Sequence, residues 1–264
     1  MQIKHENGVV YYKSEKIKVP HAFSTRLGGV SACEHTKSLN LAFGRGDEDS
    51  TVIENLRRFG DAVGFCAESV VSMPQIHSNK VIYVSRDMCG EGYYQPPSEQ
   101  CDGYVTRERG VVIGVRTADC TPILLWDGES AVIGAFHAGW RGTFSDICGH
   151  GVERMCEYGA KKENIVAVIG PSICQKCYEV GQDVMDAAIN CLGDDAHAFF
   201  SDGKERGKYY VDMQGANSYL LARAGVPREN VEVMGLCTYE HPEYFWSHRY
   251  TRGNRGTMLS VITL

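Results

Sequence analysis

Features that would place this protein in a membrane or outside the cell are missing from its sequence. No uninterrupted apolar run reaches the roughly 18 residues of a membrane-spanning helix, so we expect no membrane partner. The N-terminal stretch MQIKHENGVVYYKSEKIKVP has neither the apolar core nor the small-residue cleavage site of a signal peptide. The 11 cysteines are an odd number without a framework of spacings, which is typical of reduced thiols. These absences predict a cytoplasmic protein.

An excess of positive charge is also missing. The net charge is −6, and basic contacts to phosphates supply most of a protein's affinity for long nucleic acids, so we expect no nucleic-acid partner. A local basic cluster would still suit a small anion. The chain has no internal repeat and no low-complexity segment, and its 43% hydrophobic and 23% charged residues are typical of a globular protein.

What the sequence does contain is an irregular mixture of strand and helix patterns. Thr51-x-x-Glu54 predicts a capping box at the start of a helix, because apolar residues follow it at helical spacing. Two or three strands often precede a helix, which favours an α+β fold over a regular βαβ fold. Strands are predicted at residues 9–13, 16–19, 81–84, 111–115, 123–126, 131–136, 166–169, 231–234 and 258–262, and further helices at 144–158, 182–191 and 213–224.

The stretch TADCTPILLWDGESAVIGAFHAGWRG predicts a β-hairpin, since DGES places a glycine between two apolar runs. With a two-residue loop at Gly128 and Glu129, Cys120 and His137 lie directly opposite each other at the open end. With the loop one residue earlier, they are diagonal neighbours on one face. Either register brings a thiol and an imidazole within reach of one zinc ion. The alternative is a buried thiol beside a solvated imidazole.

A catalytic zinc needs three protein ligands and an open position, so a third ligand is required. His77 is the first candidate, because it stands in MPQIHSNKV, a polar run that enters an apolar strand. The residues alone leave the choice open. The other candidates are His5, His21, His35, His150, His197, His241 and His248.

Seven motifs, in order, resemble those of the YfiH-type laccase-domain family over nearly the whole chain. They are SLNLAFG (38–44), PQIHSNKV (74–81), DGYVT (102–106), TADCTPIL (117–124), HAGWRGT (137–143), IGPSICQKCYEVG (169–181) and CTYEHPEYFWSHR (237–249). The resemblance implies one domain over residues 1–264, with mixed β-sheets in a sandwich-like core surrounded by helices. It also implies that the metal ligands are His77, Cys120 and His137.

Members of that family have been described as copper polyphenol oxidases and as purine nucleoside phosphorylases with adenosine deaminase activity. The resemblance therefore implies a zinc enzyme that acts on adenosine, inosine or methylthioadenosine with phosphate. A copper-dependent phenol oxidase is the first alternative, although the nine histidines lack the repeated H-x-H pairs expected of a laccase centre. A metal-stabilised interaction module is the second alternative. The sequence leaves the oligomeric state open.

Phosphorolysis requires fork-like cationic donors for phosphate, which arginine supplies. Arg26, Arg141 and Arg249 are the candidates, and Arg141 is favoured because it follows a proposed metal ligand by four residues. Trp140 is suited either to stacking on a base or to capping the core under the hairpin.

Deamination also requires a carboxylate to transfer protons. Asp119 is one candidate, kept as a second-choice site residue because adjacent strand residues such as Asp119 and Cys120 should point to opposite faces, and Glu179 ranks below it. The Cys174-x-x-Cys177 pair has no second pair at suitable spacing, so we expect two free thiols near a loop. The roles of Arg252 and Arg255 stay open.

Overall fold

Two six-stranded sheets and one three-stranded sheet organise the chain, and the computed structural model describes all of residues 1–264. The strands are β1 (Gln2–Glu6), β2 (Val9–Lys13), β3 (His21–Ser24), β4 (Val70–Val71), β5 (Val81–Tyr83), β6 (Gly103–Thr106), β7 (Val112–Thr117), β8 (Thr121–Asp127), β9 (Val132–Ala138), β10 (Val166–Ile169), β11 (Glu179–Gly181), β12 (Phe200–Asp202), β13 (Lys208–Val211), β14 (Val231–Val233) and β15 (Met258–Thr263). The α-helices are α1 (Asp49–Val63), α2 (Trp140–Thr143), α3 (Ile147–Glu157), α4 (Gln182–Leu192), α5 (Met213–Arg223) and α6 (His248–Thr251). None of these helices is both long and apolar enough to span a bilayer.

The two large sheets both mix parallel and antiparallel strands. The first has the order β1-β2-β3-β15-β7-β4, and the second has the order β14-β10-β8-β9-β6-β5. β4 runs parallel to β7 and β14 runs parallel to β10, whereas the central pairs β7–β15 and β8–β9 are antiparallel. The small sheet, β11-β13-β12, is antiparallel throughout. The predicted α+β fold with mixed sheets is confirmed.

The large sheets pack face to face, because their central strands are apolar on both sides. In β8, Leu124 lies in the layer between the sheets, in one cluster with Ile113 of β7 and Ile133 of β9. Its neighbours Ile123 and Leu125 point the other way, toward a cluster that includes the helices. Because both faces of these strands are buried, their sequences are continuous runs of apolar residues and do not alternate between apolar and polar residues.

Helices cover the outer face of each large sheet. Leu56 and Phe59 of α1 are fully buried in a cluster that includes Leu259 of the first sheet. On the second sheet, α3, α4 and α5 bury their apolar faces in the cluster that contains Phe136 of β9. The sandwich-like core surrounded by helices is therefore confirmed.

The N-terminal strand prediction at residues 16–19 is wrong, because that segment has no regular structure. β2 pairs instead with the preceding strand β1, through the turn at Asn7 and Gly8. Both turn residues have positive φ, 52° and 82°, as a two-residue hairpin loop of the Asn-Gly type requires. The dipeptide in HENGVV was the signal for this hairpin.

Two helix starts also differ from the prediction. α1 begins at Asp49, before Thr51, and its N-cap residue Glu48 makes no side-chain cap, so the capping box is wrong. The helix predicted from residue 144 begins at Ile147, because Asp146 adopts φ 60° and its carboxylate accepts a hydrogen bond from the backbone of Gly149 at 3.1 Å. This local cap separates α2 from α3.

The hairpin of β8 and β9 exists, but both predicted registers are wrong. Thr121 pairs with Ala138 and Pro122 pairs with His137, so the loop holds the four residues 128–131. The Asp127 carboxylate widens the turn by accepting the backbone N–H groups of residues 129 and 130 at 2.9 and 3.3 Å. Cys120 therefore lies just before β8, in a position diagonal to His137.

The packing of α3 on β9 gives a first testable prediction. A Cβ atom at Gly151 would lie 2.2 Å from the ring of Phe136, the fully buried residue before His137. We expect Gly151→Ala to lower the free energy of unfolding by about 1–3 kcal/mol, despite the higher helix propensity of alanine. Urea denaturation measures the change. Glu153→Ala, at an exposed position of the same helix, is the control and should stay within about 0.5 kcal/mol; equal stability of the two variants would contradict the prediction.

Candidate metal centre and active-site cavity

The fold brings His77, Cys120 and His137 together from three separate segments. His77 lies in the loop before β5, Cys120 in the bend before β8, and His137 near the end of β9. Their ligand atoms all lie within 4.8 Å of one another. The Cys120 Sγ atom is 3.9 Å from the Nε2 atom of His77, and the two imidazole rings are 4.9 Å apart and nearly perpendicular.

Asp102 fixes two of these ligands at once. Its fully buried carboxylate accepts backbone hydrogen bonds from Ile76, His77 and Ser78, at 3.2, 2.9 and 2.7 Å. These bonds hold the loop in which His77 adopts φ 59°. The same carboxylate lies 2.8 Å from the Nδ1 atom of His137. Because Nδ1–H donates to Asp102, the Nε2 atom of His137 is left free for a metal, as is usual where a carboxylate orients a histidine ligand.

The charges of the centre are strongly coupled. Burial disfavours the thiolate of Cys120, but the charges and hydrogen bonds of His137 and His77 together outweigh burial and lower the pKa of the thiol to about 6. Burial likewise disfavours the imidazolium of His137, but the Cys120 thiolate and Asp102 raise its pKa to about 9. The thiol is therefore readily deprotonated at neutral pH. A thiolate and two imidazoles are a donor set that fits a divalent transition metal such as zinc.

The centre opens into a cavity of about 470 Å³, which is large enough for a small organic substrate. His77 and Cys120 form one end of it. The lining consists of Arg45, His77, Ala118, Asp119, Cys120, Thr121, Ala138, Gly139, Trp140, Ile173, Tyr178, Met213, His248, Arg249 and Arg255.

Three arginines, Arg45, Arg249 and Arg255, line the cavity, and none of them forms an ion pair with a carboxylate. Burial, with the nearby charge of Arg45, lowers the pKa of Arg255 to about 10, so its cationic form is held at an energetic cost. The Arg255 Nε atom is buried and has no hydrogen-bond partner. Unpaired guanidinium groups around one cavity favour an anionic ligand.

Asp119 lines the cavity on the same side as Cys120, contrary to the expectation for adjacent strand residues. The two residues lie in a bend rather than in a strand, and Asp119 has φ 90°, so strand alternation does not apply. Its carboxylate accepts the hydroxyl of Thr238 at 2.6 Å and the backbone N–H of Arg249 at 2.7 Å. Asp119 is the only carboxylate of the cavity lining.

The other predicted site residues are divided between the cavity and its surroundings. Arg249 lines the cavity and its guanidinium lies over the ring of Tyr178, at 5.1 Å from the ring centre. Trp140 both lines the cavity and packs against the buried core, so the two roles proposed for it are compatible. Arg141 is exposed and stacks on Trp140 at 4.1 Å, outside the lining.

Like Arg141, Arg26 and Glu179 do not line the cavity. The guanidinium of Arg26 stacks on Trp246 at 3.8 Å and donates hydrogen bonds to the carbonyl oxygens of Pro242 and Lys37, so it ties loops together. The carboxylate of Glu179 accepts a hydrogen bond from the backbone of Lys204 at 2.8 Å and does not line the cavity.

Sequence reasoning missed Asp102, Arg45 and Tyr178 and did not assign Arg255 or His248 to the site. Asp102 stands in DGYVT, one of the seven motifs, at the entry to a strand, which was an available signal. The sequence around Arg45 and Arg255 has no comparable feature that would assign these arginines to the site. Burial, together with the charge of Arg255, lowers the pKa of His248, so neutral imidazole is favoured beside the arginines.

The dual role of Asp102 gives a second prediction. We expect Asp102→Asn to weaken metal binding and to lower activity by about 10- to 100-fold, because the neutral amide can neither favour the correct His137 tautomer nor accept all of the loop N–H groups. Competition with a chromogenic chelator measures the metal affinity. Asp183→Asn, at an exposed position of α4, is the matched control. An unchanged metal affinity for Asp102→Asn would contradict this role.

Comparisons with known proteins show what the whole chain is similar to. The family model described as multi-copper polyphenol oxidoreductase laccase matches residues 20–264. The chain is 38% identical to a purine nucleoside phosphorylase of Deinococcus radiodurans over 97% of this chain and 94% of that protein. It is 34% identical to adenosine deaminase RL5 from an unknown prokaryotic organism, over 89% of this chain and 91% of that protein. The crystal structure of the Bacillus licheniformis hypothetical protein YfiH superposes with a TM-score of 0.92 at 28% identity, covering 99% of this chain and 98% of that one.

Proposed function

Since this chain belongs to the family described as multi-copper polyphenol oxidoreductase laccase, we propose that it is a zinc-dependent purine nucleoside phosphorylase that also deaminates adenosine. Relatives that align over most of its length carry both of these names. The observation that carries the proposal is the cavity in which unpaired arginines face a centre of two histidines and a cysteine. The substrates are adenosine, inosine and methylthioadenosine, each with phosphate.

Phosphate binds at the arginine side of the cavity. Arg249 and Arg255 bring planar guanidinium groups that match the oxygens of phosphate, and Arg45 adds a third positive charge. The unpartnered Nε atom of Arg255 supplies a donor that is already desolvated. In phosphorolysis a phosphate oxygen forms a bond to C1′ of the ribose while the bond from C1′ to the purine nitrogen breaks. The arginines hold the attacking oxygen in position.

The purine binds against the aromatic and apolar residues of the same cavity, next to the phosphate, since Arg249 lies over the ring of Tyr178. Trp140 and Tyr178 offer ring faces for stacking, and Ile173 and Met213 close the lining with apolar surface. Burial raises the pKa of Tyr178 to about 12, so its hydroxyl stays protonated and serves as a hydrogen-bond donor at neutral pH. Such a surface recognises the flat base, while the arginines recognise the charged co-substrate.

His77, Cys120 and His137 hold the zinc, with Asp102 orienting His137. When bound, the ion supplies a Lewis acid at the end of the cavity. Asp119 transfers protons, because it is the only carboxylate in the lining and each of its oxygens keeps a free lone pair beside its present hydrogen bond. In deamination, water adds at C6 of the purine and ammonia leaves, so one group must accept and return a proton.

The test is to incubate the zinc-loaded protein with each nucleoside, with and without phosphate, and to separate the products by chromatography. Adenosine with phosphate should give adenine and ribose 1-phosphate, and adenosine without phosphate should give inosine. If neither product forms, the proposal is wrong. Metal analysis and a phenol oxidation assay in the same preparation test the copper alternative, which requires several copper ions per chain and oxidation of the phenol.

A further inference from the structure

We propose that Cys174, Cys177, Cys237 and Glu240 form a second metal site, which takes zinc with a structural rather than a catalytic role. The ligand atoms of these four residues all lie within 4.8 Å of one another. No residue of this cluster belongs to the centre at His77 or to the lining of the cavity. The proposal therefore stands independently of the proposed enzymatic function.

The spacing of the ligand atoms fits a tetrahedral zinc ion. Zinc bonds of about 2.3 Å to sulfur place two sulfur ligands about 3.8 Å apart. The Cys174 Sγ atom lies 3.7 Å from a carboxylate oxygen of Glu240, which is close to the separation expected for a sulfur and an oxygen ligand. Three thiolates and one carboxylate complete four coordination without an open position, as in structural zinc sites.

The backbone around the cluster also has the form of a zinc-binding turn. Residues 174–177 make one tight turn, in which the backbone N–H of Cys177 donates to the carbonyl oxygen of Cys174 at 3.1 Å. The backbone N–H of Cys174 points at the Sγ atom of Cys237, at 3.3 Å. Such N–H groups stabilise negative charge on sulfur. Cys237 belongs to a distant segment of the chain, and a parallel β-bridge between Cys237 and Ser172 holds that segment beside the turn.

A disulfide does not account for the cluster as well as a metal does. All 11 cysteines are free in the structure, and a bond between any two of these three sulfurs would leave the third without a partner. In a disulfide between Cys174 and Cys177 the third thiol would be that of Cys237, which is only 3% exposed and would stay buried in the cluster with the Glu240 carboxylate. A zinc ion uses all three sulfurs and neutralises the carboxylate as well.

The position of the site indicates what the metal does. Ile173 and Tyr178, at the two ends of the Cys174–Cys177 turn, both line the active-site cavity. Thr238, which follows Cys237, donates its hydroxyl hydrogen bond to Asp119. A metal here joins the two segments that carry these residues and fixes one wall of the cavity from behind.

Cobalt titration of the full-length, reduced and metal-free protein tests the second site. Thiolate-to-cobalt charge-transfer absorption reports sulfur ligation, and we expect wild type to bind two equivalents of Co²⁺. The double variant Cys174→Ser/Cys177→Ser should bind one equivalent and lose most of this absorption, because three of the four proposed sulfur ligands belong to the second site. The matched control Cys33→Ser/Cys66→Ser, outside both centres, should bind two. One equivalent in wild type, or two in the double variant, would overturn the proposal.

Two further measurements keep the test decisive. Glu240→Gln changes only an exposed ligand, so the fold should persist while Co²⁺ affinity at the sulfur-rich site falls about tenfold; unchanged affinity would count against the site. Alkylation followed by mass spectrometry should show Cys174 and Cys177 protected in the zinc-loaded protein and reactive after chelation. Protection that only a reductant removes would identify a disulfide and overturn the proposal.

Discussion

Replacement of His77 by alanine is expected to remove one metal equivalent and to lower kcat/KM for both phosphorolysis and deamination by about 1,000-fold or more, which corresponds to about 4 kcal/mol of transition-state stabilisation. The fold should survive, because the His77 side chain is exposed and its loop is held through backbone bonds to Asp102. Steady-state kinetics on the zinc-loaded variant, with metal analysis and thermal unfolding, give the three readouts.

The same experiment separates an enzyme from a metal-stabilised interaction module. In an enzyme, turnover vanishes while the melting temperature stays close to that of wild type. In a structural module, loss of the metal lowers the melting temperature steeply, because metal-binding free energy then contributes directly to folding. His5→Ala, an exposed histidine outside both the ligand cluster and the cavity lining, is the matched control and should keep both metal and activity. Full activity of His77→Ala would refute the assignment of the centre.

Arg255→Met is expected to raise the KM for phosphate by about 10- to 100-fold, because a hydrogen bond from a charged group contributes about 1.5–3 kcal/mol and about 1.4 kcal/mol corresponds to a factor of ten. Deamination of adenosine, which uses no phosphate, should change much less. Stability should change little, since methionine removes a buried charge and an unpartnered Nε atom, which offsets the loss of the hydrogen bonds from Nη1 to Gly256 and Thr257. Initial rates at varied phosphate, measured beside phosphate-free deamination, provide the comparison.

A matched control for Arg255→Met lies in the same segment. Arg252 does not line the cavity and adopts φ 54°, a conformation that asparagine tolerates, so Arg252→Asn removes one nearby charge with little strain. This control should leave the phosphate KM within about twofold, because exposed charges are largely screened at physiological ionic strength. Equal effects of the two substitutions, or equal loss of deamination and phosphorolysis in Arg255→Met, would contradict a specific phosphate contact.

The hairpin that carries Cys120 and His137 was predictable in part from local sequence patterns. The apolar runs on each side of DGES predict two paired strands, and strands β8 and β9 are present. The register depends on the length of the loop. The side chain of Asp127 stabilises a four-residue turn, and the glycine in DGES does not by itself indicate that length. The metal ligands still meet, because Cys120 directly precedes Thr121, which pairs with Ala138, the residue after His137.

Local sequence patterns did not separate the arginines that line the cavity from those that lie elsewhere. Arg26 and Arg141 were selected because they stand beside glycines or near a proposed ligand, yet one braces loops and the other stacks on Trp140 outside the cavity. Arg45 and Arg255 are separated by most of the chain and become neighbours only when the first sheet is assembled. A guanidinium on the surface and one at a site have the same local sequence signals.

The α+β class, most of the central strands and the chemistry available to the metal centre follow from short segments of the chain. The spacing of apolar residues and the presence of metal-ligating side chains are properties of short segments, so they can be recognised without a structure. Three contacts follow from long-range packing instead: Asp102 holds both His77 and His137, Arg45 lies near Arg255 with no ion pair to a carboxylate, and Cys237 joins Cys174 and Cys177. Each of these contacts joins segments distant along the chain. Their distance in space is set by sheet register and face-to-face packing, which no local pattern encodes.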